Sequence, residues 1–288
     1  MNEKKLIGDF HVHSTGSDGK LSPEEIAKLA IDKGLPYICF TDHYPFPPEF
    51  NSRFKDKDLW ANFHNEEYCK QVLELKKRFT GKIEIYFGAE FNWLEDYEDW
   101  TKKEVKKKPY DYALIAVHMV PQRKRSNNPI NWTEESFRRI ITNYDGIQKA
   151  VKEYYKQVRL AAQSDLFDCI AHLDLIKVWN KDSKYFSEES QWYQKEVCET
   201  LDSIASSGMC VEINTSNYGP YYPVKEQCPS SWILKEARKR NIPITIGSDA
   251  HEGKELGMGL EKARGLAKQA GYDSITIFKN RKPIQIAI

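Results

Sequence analysis

Residues Asp9–His43 read "DFHVHSTGSDGKLSPEEIAKLAIDKGLPYICFTDH". A short apolar run ends in His11 and His13, a helix signal follows, and a second apolar run ends in Asp42 and His43. Ser22 can cap the helix, Pro23 suits its first position, Glu25 completes a capping box and Gly34 closes it. Ile26, Leu29 and Ala30 form one apolar stripe. Strand, helix, strand is a βα unit, and its strands run parallel. Residues i and i+2 of a strand share a face, so His11 and His13 point the same way at a strand's end.

The unit recurs. Further runs are "IEIYFGAEFNW", "YALIAVHM", "FDCIAHLDL", "MCVEINTS" and "IPITIGSDAH", with an eighth, "SITIFK", near the end. They are short and rich in β-branched and aromatic residues, as strands buried on both faces tend to be. Between them lie helical stretches, including "NEEYCKQVLELKKRF", "SEESQWYQKEVCETLDSIASSG" and "SSWILKEARKRN". The stretch "TEESFRRIITNYDGIQKAVKEYYKQVRLAAQS" reads as one long helix. Seven or eight such units in 288 residues predict a closed or nearly closed α/β barrel.

With 43 basic and 42 acidic residues, the formal charge is +1, which argues against a nucleic-acid partner. The start, "MNEKKLIGDFHVHS", has no apolar signal core, and no apolar run approaches the roughly 20 residues needed to span a bilayer. Cysteines at 39, 69, 169, 198, 210 and 228 form no C-x-x-C pair, so reduced thiols in a cytoplasmic protein are expected.

Six of the seven histidines, His11, His13, His43, His118, His172 and His251, fall at or just past strand ends. Asp42, Asp249 and Glu90 join them. In a parallel barrel those ends converge on one face. Imidazole and carboxylate are ligands of zinc, manganese and iron, and packing so many together without a cation would leave lone pairs unmet. Two or three divalent ions are therefore expected, close enough to clamp both oxygens of a displacement. His64 reads as an ordinary core or surface histidine, Asp9 as a strand cap or a support for a ligand, and Glu95, Asp96, Glu98 and Asp99 as a solvated face.

The segments "DFHVHS", "TDH", "GAEFNW", "AVHMV", "AHLDL" and "GSDAH" together resemble the PHP (polymerase and histidinol phosphatase) superfamily. The resemblance implies a distorted (β/α)7 TIM-like barrel, one domain over residues 1–288, with its metal site at the carboxyl ends of the strands. It implies one metal on His11, His13, Glu90 and Asp249, and a second on Glu90, His118 and His172. A third falls to His43 and His251 with a ligand from the loop after the H-x-H, where some relatives carry histidine and this chain offers Asp18. "FDCIAHLDLIK" and "VEINTS" resemble the histidinol-phosphate phosphatase branch, which implies L-histidinol phosphate, a small phosphate ester, as substrate.

For such a phosphate monoesterase a hydroxide bridging two ions is the expected nucleophile. Glu90, Asp249 and His251 are the candidate catalytic residues. Candidate phosphate and substrate contacts are Arg159, Lys177 and Asn214, with Arg53, Lys254 and Arg123–Lys124–Arg125 as further cations. Glu212, Tyr44 and the stretch "FNWLEDYEDW" are candidates for choosing the leaving group. The rival readings are a phosphoesterase for another small ester, phosphotyrosine or nucleic acid, and a metal-binding domain without turnover.

Overall fold

The computed structural model describes residues 6–52, 63–121 and 129–288. Seven parallel strands stand in chain order: β1 (Asp9–Val12), β2 (Tyr37–Phe40), β3 (Glu84–Asn92), β4 (Tyr112–Ala116), β5 (Cys169–Ile170), β6 (Cys210–Asn214) and β7 (Ile244–Gly247). At the carboxyl end β7 reaches β1. The Asp249 N–H donates to the His11 carbonyl at 2.8 Å, and the His13 N–H to the Ala250 carbonyl at 2.9 Å. The sheet is thus a nearly closed, distorted (β/α)7 barrel.

Helices cover the outside: α1 (Pro23–Asp32), α2 (Pro48–Asn51), α3 (Glu66–Arg78), α4 (Glu98–Glu104), α5 (Glu134–Asn143), α6 (Ile147–Gln163), α7 (Gln191–Ser207), α8 (Ser231–Lys239) and α9 (Leu260–Gln269). Ser22 and Glu25 form the reciprocal cap of α1, and Ile26, Ala27 and Ala30 bury its inner face; such a cap contributes about 1 kcal/mol. The stretch expected as one long helix is two. Asp145 and Gly146 turn to φ 54° and 130°, and glycine admits that conformation where other residues strain. No helix among the described residues is long and apolar enough to cross a membrane.

The barrel floor is aromatic. Phe10 packs against Tyr112 and Tyr86 with ring centroids 4.8 and 5.3 Å apart. The eighth apolar run is not a barrel strand. As β8 (Ser274–Lys279) it pairs antiparallel with β9 (Lys282–Ala287), and Phe278 stacks under Tyr112 at 5.3 Å. The hairpin turn is clasped where the Asn280 N–H donates to Asp111 at 3.1 Å and Arg281 pairs with Asp168. The amino end is filled by this packing, which leaves the carboxyl end for chemistry.

One irregularity positions that chemistry. Between the pairs Asp9↔Ile38 and Val12↔Phe40, β1 spends one residue more than β2, which is a β-bulge. Phe10 therefore enters the floor cluster while its neighbour His11 also turns inward, and Val12 packs outward among the helices.

Candidate metal centre

Each strand except β6 delivers a candidate ligand to the carboxyl rim, directly or in the turn that follows. The nine expected ligands all arrive there, in three groups, of which the first and third share His13: His11, His13 and Asp249; Glu90, His118 and His172; and His13, Asp18, His43 and His251. Glu90 faces more than one group. Its Oε1 lies 3.0 Å from His172 Nε2 and 3.7 Å from His118 Nε2. Its Oε2 lies 2.8 Å from His43 Nδ1 and 3.5 Å from His13 Nε2. Asp249 Oδ1 lies 3.1 Å from His13 Nε2. Asp18 Oδ1 lies 3.3 Å from His251 Nε2, so the loop after the H-x-H does supply a carboxylate to that group.

The opposite ring nitrogens are held from behind, the usual way a protein fixes the orientation of a metal-binding imidazole. His11 Nδ1 pairs with Glu212 at 2.6 Å, His118 Nδ1 with the Asn92 side-chain oxygen at 2.6 Å, and His251 Nδ1 with the Asp249 carbonyl at 3.0 Å. Gly247 makes room for the first pair: a Cβ there would stand 2.3 Å from His11 Cβ and 2.7 Å from Glu212 Oε1. His172 and Asp249 sit at φ 28° and 55°, a conformation most side chains avoid and one that concentrates at functional sites.

Asp42 is not among these groups. It accepts from the Ser14 N–H at 2.7 Å and from Ser17 Oγ at 2.8 Å, and so shapes the loop that carries Asp18. Asp9 is a cap: its carboxylate takes the N–H groups of Ser248 and Gly257 at 2.8 and 2.9 Å.

Burial is the largest influence on the imidazoles, and it favours the neutral, ligand-ready form. It pushes His118 down to about 3 and lowers His13, where His251 and His43 add to the effect. Burial also opposes a charge on His11, but Glu212, Asp249 and Glu90 outweigh it and raise that imidazole well above its ordinary value. For Glu90 burial works against ionisation; His43, His118 and His11 overcome it and hold the carboxyl well below the usual range. The buried Nδ1 of His172 makes no hydrogen bond among the described residues. Ionised carboxylates among imidazoles with lone pairs to spare fit borderline divalent ions.

A cavity of about 440 Å³ opens above the histidines. Trp132, Trp179, Tyr221, Tyr222 and Phe46 give it aromatic walls, and Glu252 and Glu255 give it an acidic edge. Lys20 is the one lysine or arginine lining it among the described residues. The sequence reading missed Lys20 and these aromatics, although "KVWN" and "NYGPYY" follow ligand-bearing or neighbouring strands.

The expected phosphate contacts are corrected. Arg159 lies in the outer helical layer, where its guanidinium is 3.2 Å from Glu196 and 3.1 Å from Thr200. Lys177 is buried against Asp174 and Glu226, each at 2.9 Å, and does not line the cavity. Lys254 pairs with Glu252 at 2.7 Å outside it. Arg53 and Arg123–Lys124–Arg125 lie outside the described residues.

The expected selectivity residues are corrected too. Asn214 braces Asp249 Oδ2 at 3.2 Å, and Glu212 serves His11. Tyr44 donates to Glu104 at 2.6 Å and stacks on Phe91 in the core. In "FNWLEDYEDW", Trp93 is buried with its indole N–H on Gln157 at 3.1 Å. Only Asn92 of that stretch lines the cavity. His64 is a core histidine, 3.0 Å from the Tyr110 hydroxyl.

A nearly closed parallel barrel with this donor set at its carboxyl rim is a metal-site βα barrel. The chain belongs to the PHP domain family, whose model matches residues 9–216. It is 30% identical over 275 residues to the Deinococcus radiodurans "Probable histidinol-phosphatase", covering 94% of this chain and 93% of that protein. The Bacillus subtilis histidinol-phosphatase is 27% identical over 264 residues, covering 88% of this chain and 96% of its own length. The crystal structure of Lactococcus lactis histidinol phosphate phosphatase complexed with zinc, L-histidinol and phosphate matches with a TM-score of 0.78. The two are 25% identical, and the match covers 97% of this chain and 99% of that one.

Proposed function

We propose that this chain is a metal-dependent phosphate monoesterase that hydrolyses L-histidinol phosphate to L-histidinol and phosphate. The observation that carries the reading is the convergence of nine candidate metal-ligand side chains, seven of which line a cavity walled by aromatic rings. The relatives named above, similar along most of the chain, support the choice of ester.

The residues would hold two or three divalent ions, zinc, manganese or iron, with Glu90 shared between groups. Such ions supply Lewis acidity toward the phosphoryl oxygens and toward the attacking water. The protein's own contribution is orientation. Glu212, Asn92 and the Asp249 carbonyl fix the imidazoles, while Glu90, Asp249 and His251 line the cavity where the reacting phosphate must sit. Lys20 is assigned to a phosphoryl oxygen. The aromatic wall offers a flat face to an imidazole, and Glu252 and Glu255 offer carboxylates to an ammonium. We assign residues 1–288 to a single domain. Six unpaired cysteines, five of them buried, support a reducing cytoplasm as its compartment.

The test is turnover of histidinol phosphate against glycerol phosphate, p-nitrophenyl phosphate and phosphotyrosine, with elemental analysis of the same sample. Equal turnover of all four would remove the ester assignment. Absence of turnover in metal-loaded protein would remove the enzyme.

A further inference from the structure

Lys177 lies below the cavity, in the segment that follows His172, with a side chain only 1% exposed. Its ammonium is 2.9 Å from Asp174 Oδ2, 2.9 Å from Glu226 Oε2 and 4.0 Å from Glu188 Oε1, and it donates to Ser230 Oγ. The partners interlock. Asp174 also takes the Ser230 N–H at 2.9 Å, and Glu188 takes the Ser230 hydroxyl at 2.6 Å. Three segments therefore meet on one ammonium: the turn after β5, the approach to α7 and the loop after β6. A buried lysine persists only where it is paired, and none of these partners is a candidate metal ligand.

Two of the same segments carry Trp179, Tyr221 and Tyr222 of the cavity's aromatic wall. Trp179, two residues past Lys177, meets Tyr222, four residues before Glu226, edge to face at 5.8 Å. The histidines beneath have a brace of their own, since Glu212 takes the His172 N–H at 3.0 Å. The ion network touches none of the candidate ligand side chains, and it reaches the wall directly through the segments that carry Trp179 and Tyr222.

We propose that Lys177 is a positioning residue for substrate choice: by tying the two loops together beneath the cavity, it sets the Trp179–Tyr222 wall where the ring of the leaving group packs. The inference rests on histidinol phosphate being the substrate. Phosphate is common to all esters and meets the histidine floor, so a loosened wall penalises only a substrate that uses the wall.

The experiment compares Lys177→Met, Lys177→Arg and Glu226→Gln, with KM and kcat measured on histidinol phosphate and on ring-free glycerol phosphate, and metal content measured in each. Lys177→Met is expected to raise KM for histidinol phosphate about ten-fold or more with kcat within about three-fold, while kcat/KM on glycerol phosphate stays within about two-fold. Lys177→Arg, which keeps the charge, should recover most of the loss. Glu226 is 39% exposed, so its variant should fold even if Lys177→Met does not, with a KM rise of about three-fold on histidinol phosphate alone. Equal losses on both substrates, or no change in KM in the variants that fold, would overturn the inference. A wild-type protein with no preference for histidinol phosphate would remove the substrate reading and this inference together. A preference that survives in the variants would remove the inference alone.

Discussion

The Glu212 carboxylate spans two ligand groups: Oε1 lies 2.6 Å from His11 Nδ1, and Oε2 accepts the His172 N–H at 3.0 Å. The strand that offers no ligand of its own thus orients ligands from two others. Glu212→Gln keeps the shape and removes the charge behind His11. Metal affinity is expected to fall about 10–100-fold, the range seen when such supports are lost. Competition with a chromophoric chelator measures it, and wild-type affinity would show that Glu212 only fills space.

Glu90 aims its two oxygens at different imidazoles. Fully loaded protein is expected to hold more than one transition-metal ion per chain by elemental analysis. Glu90→Gln should lose about 100-fold or more in kcat with a melting temperature within a few degrees of wild type. Near-normal turnover at saturating metal would exclude a shared role for this carboxylate.

His64 gives a pH signature apart from the metal site. Burial pushes it down to about 4 in the folded chain, against an ordinary value near 6.5. The unfolded chain therefore takes the proton first as pH falls. The contribution is complete above about pH 6.5 and is lost on the way to pH 4, by about 3 kcal/mol. Urea unfolding of wild type and His64→Phe from pH 7.5 to 4 tests it, because titration of the metal-site groups is common to both. The wild type should lose more stability than the variant, and parallel curves would contradict the assignment.

Arg159 supplies the negative control for phosphate binding. Arg159→Met should leave kcat/KM for histidinol phosphate within about two-fold while lowering stability by about 1–3 kcal/mol, because Glu196 and Thr200 lose a partner. A selective rise in KM would return Arg159 to the site.

The cluster of candidate ligands was legible because each of its histidines travels with a strand end, and parallel strands bring those ends together whatever the helices do. The supporting charges were not. Arg159 meets Glu196 37 residues away, and Lys177 meets Glu226 49 residues away; only the packing of helices and loops decides such pairs. Glu212 was visible as a polar residue at a strand end, but whether it faced substrate or ligand depended on the bulge in β1 and on the absence of a side chain at Gly247. The Asp145–Gly146 break was written in the sequence and lost under the helical periodicity on either side. The aromatic wall was hidden differently: tryptophans and tyrosines in loops and in cores look alike until the loops are placed.

The bulge in β1 also defines what would have to be transplanted. Deleting one residue between Asp9 and Val12 would restore regular pairing with β2 and leave one inward position where there are two, so that either the floor's Phe10 or the rim's His11 is lost. Grafting the H-x-H pair alone onto a regular barrel strand would bring the histidines without the phase shift that lets floor and rim share a strand. The portable unit is Asp9–His13, irregular residue included, and a natural variant that shortens this strand should lose either its floor or its first ligand.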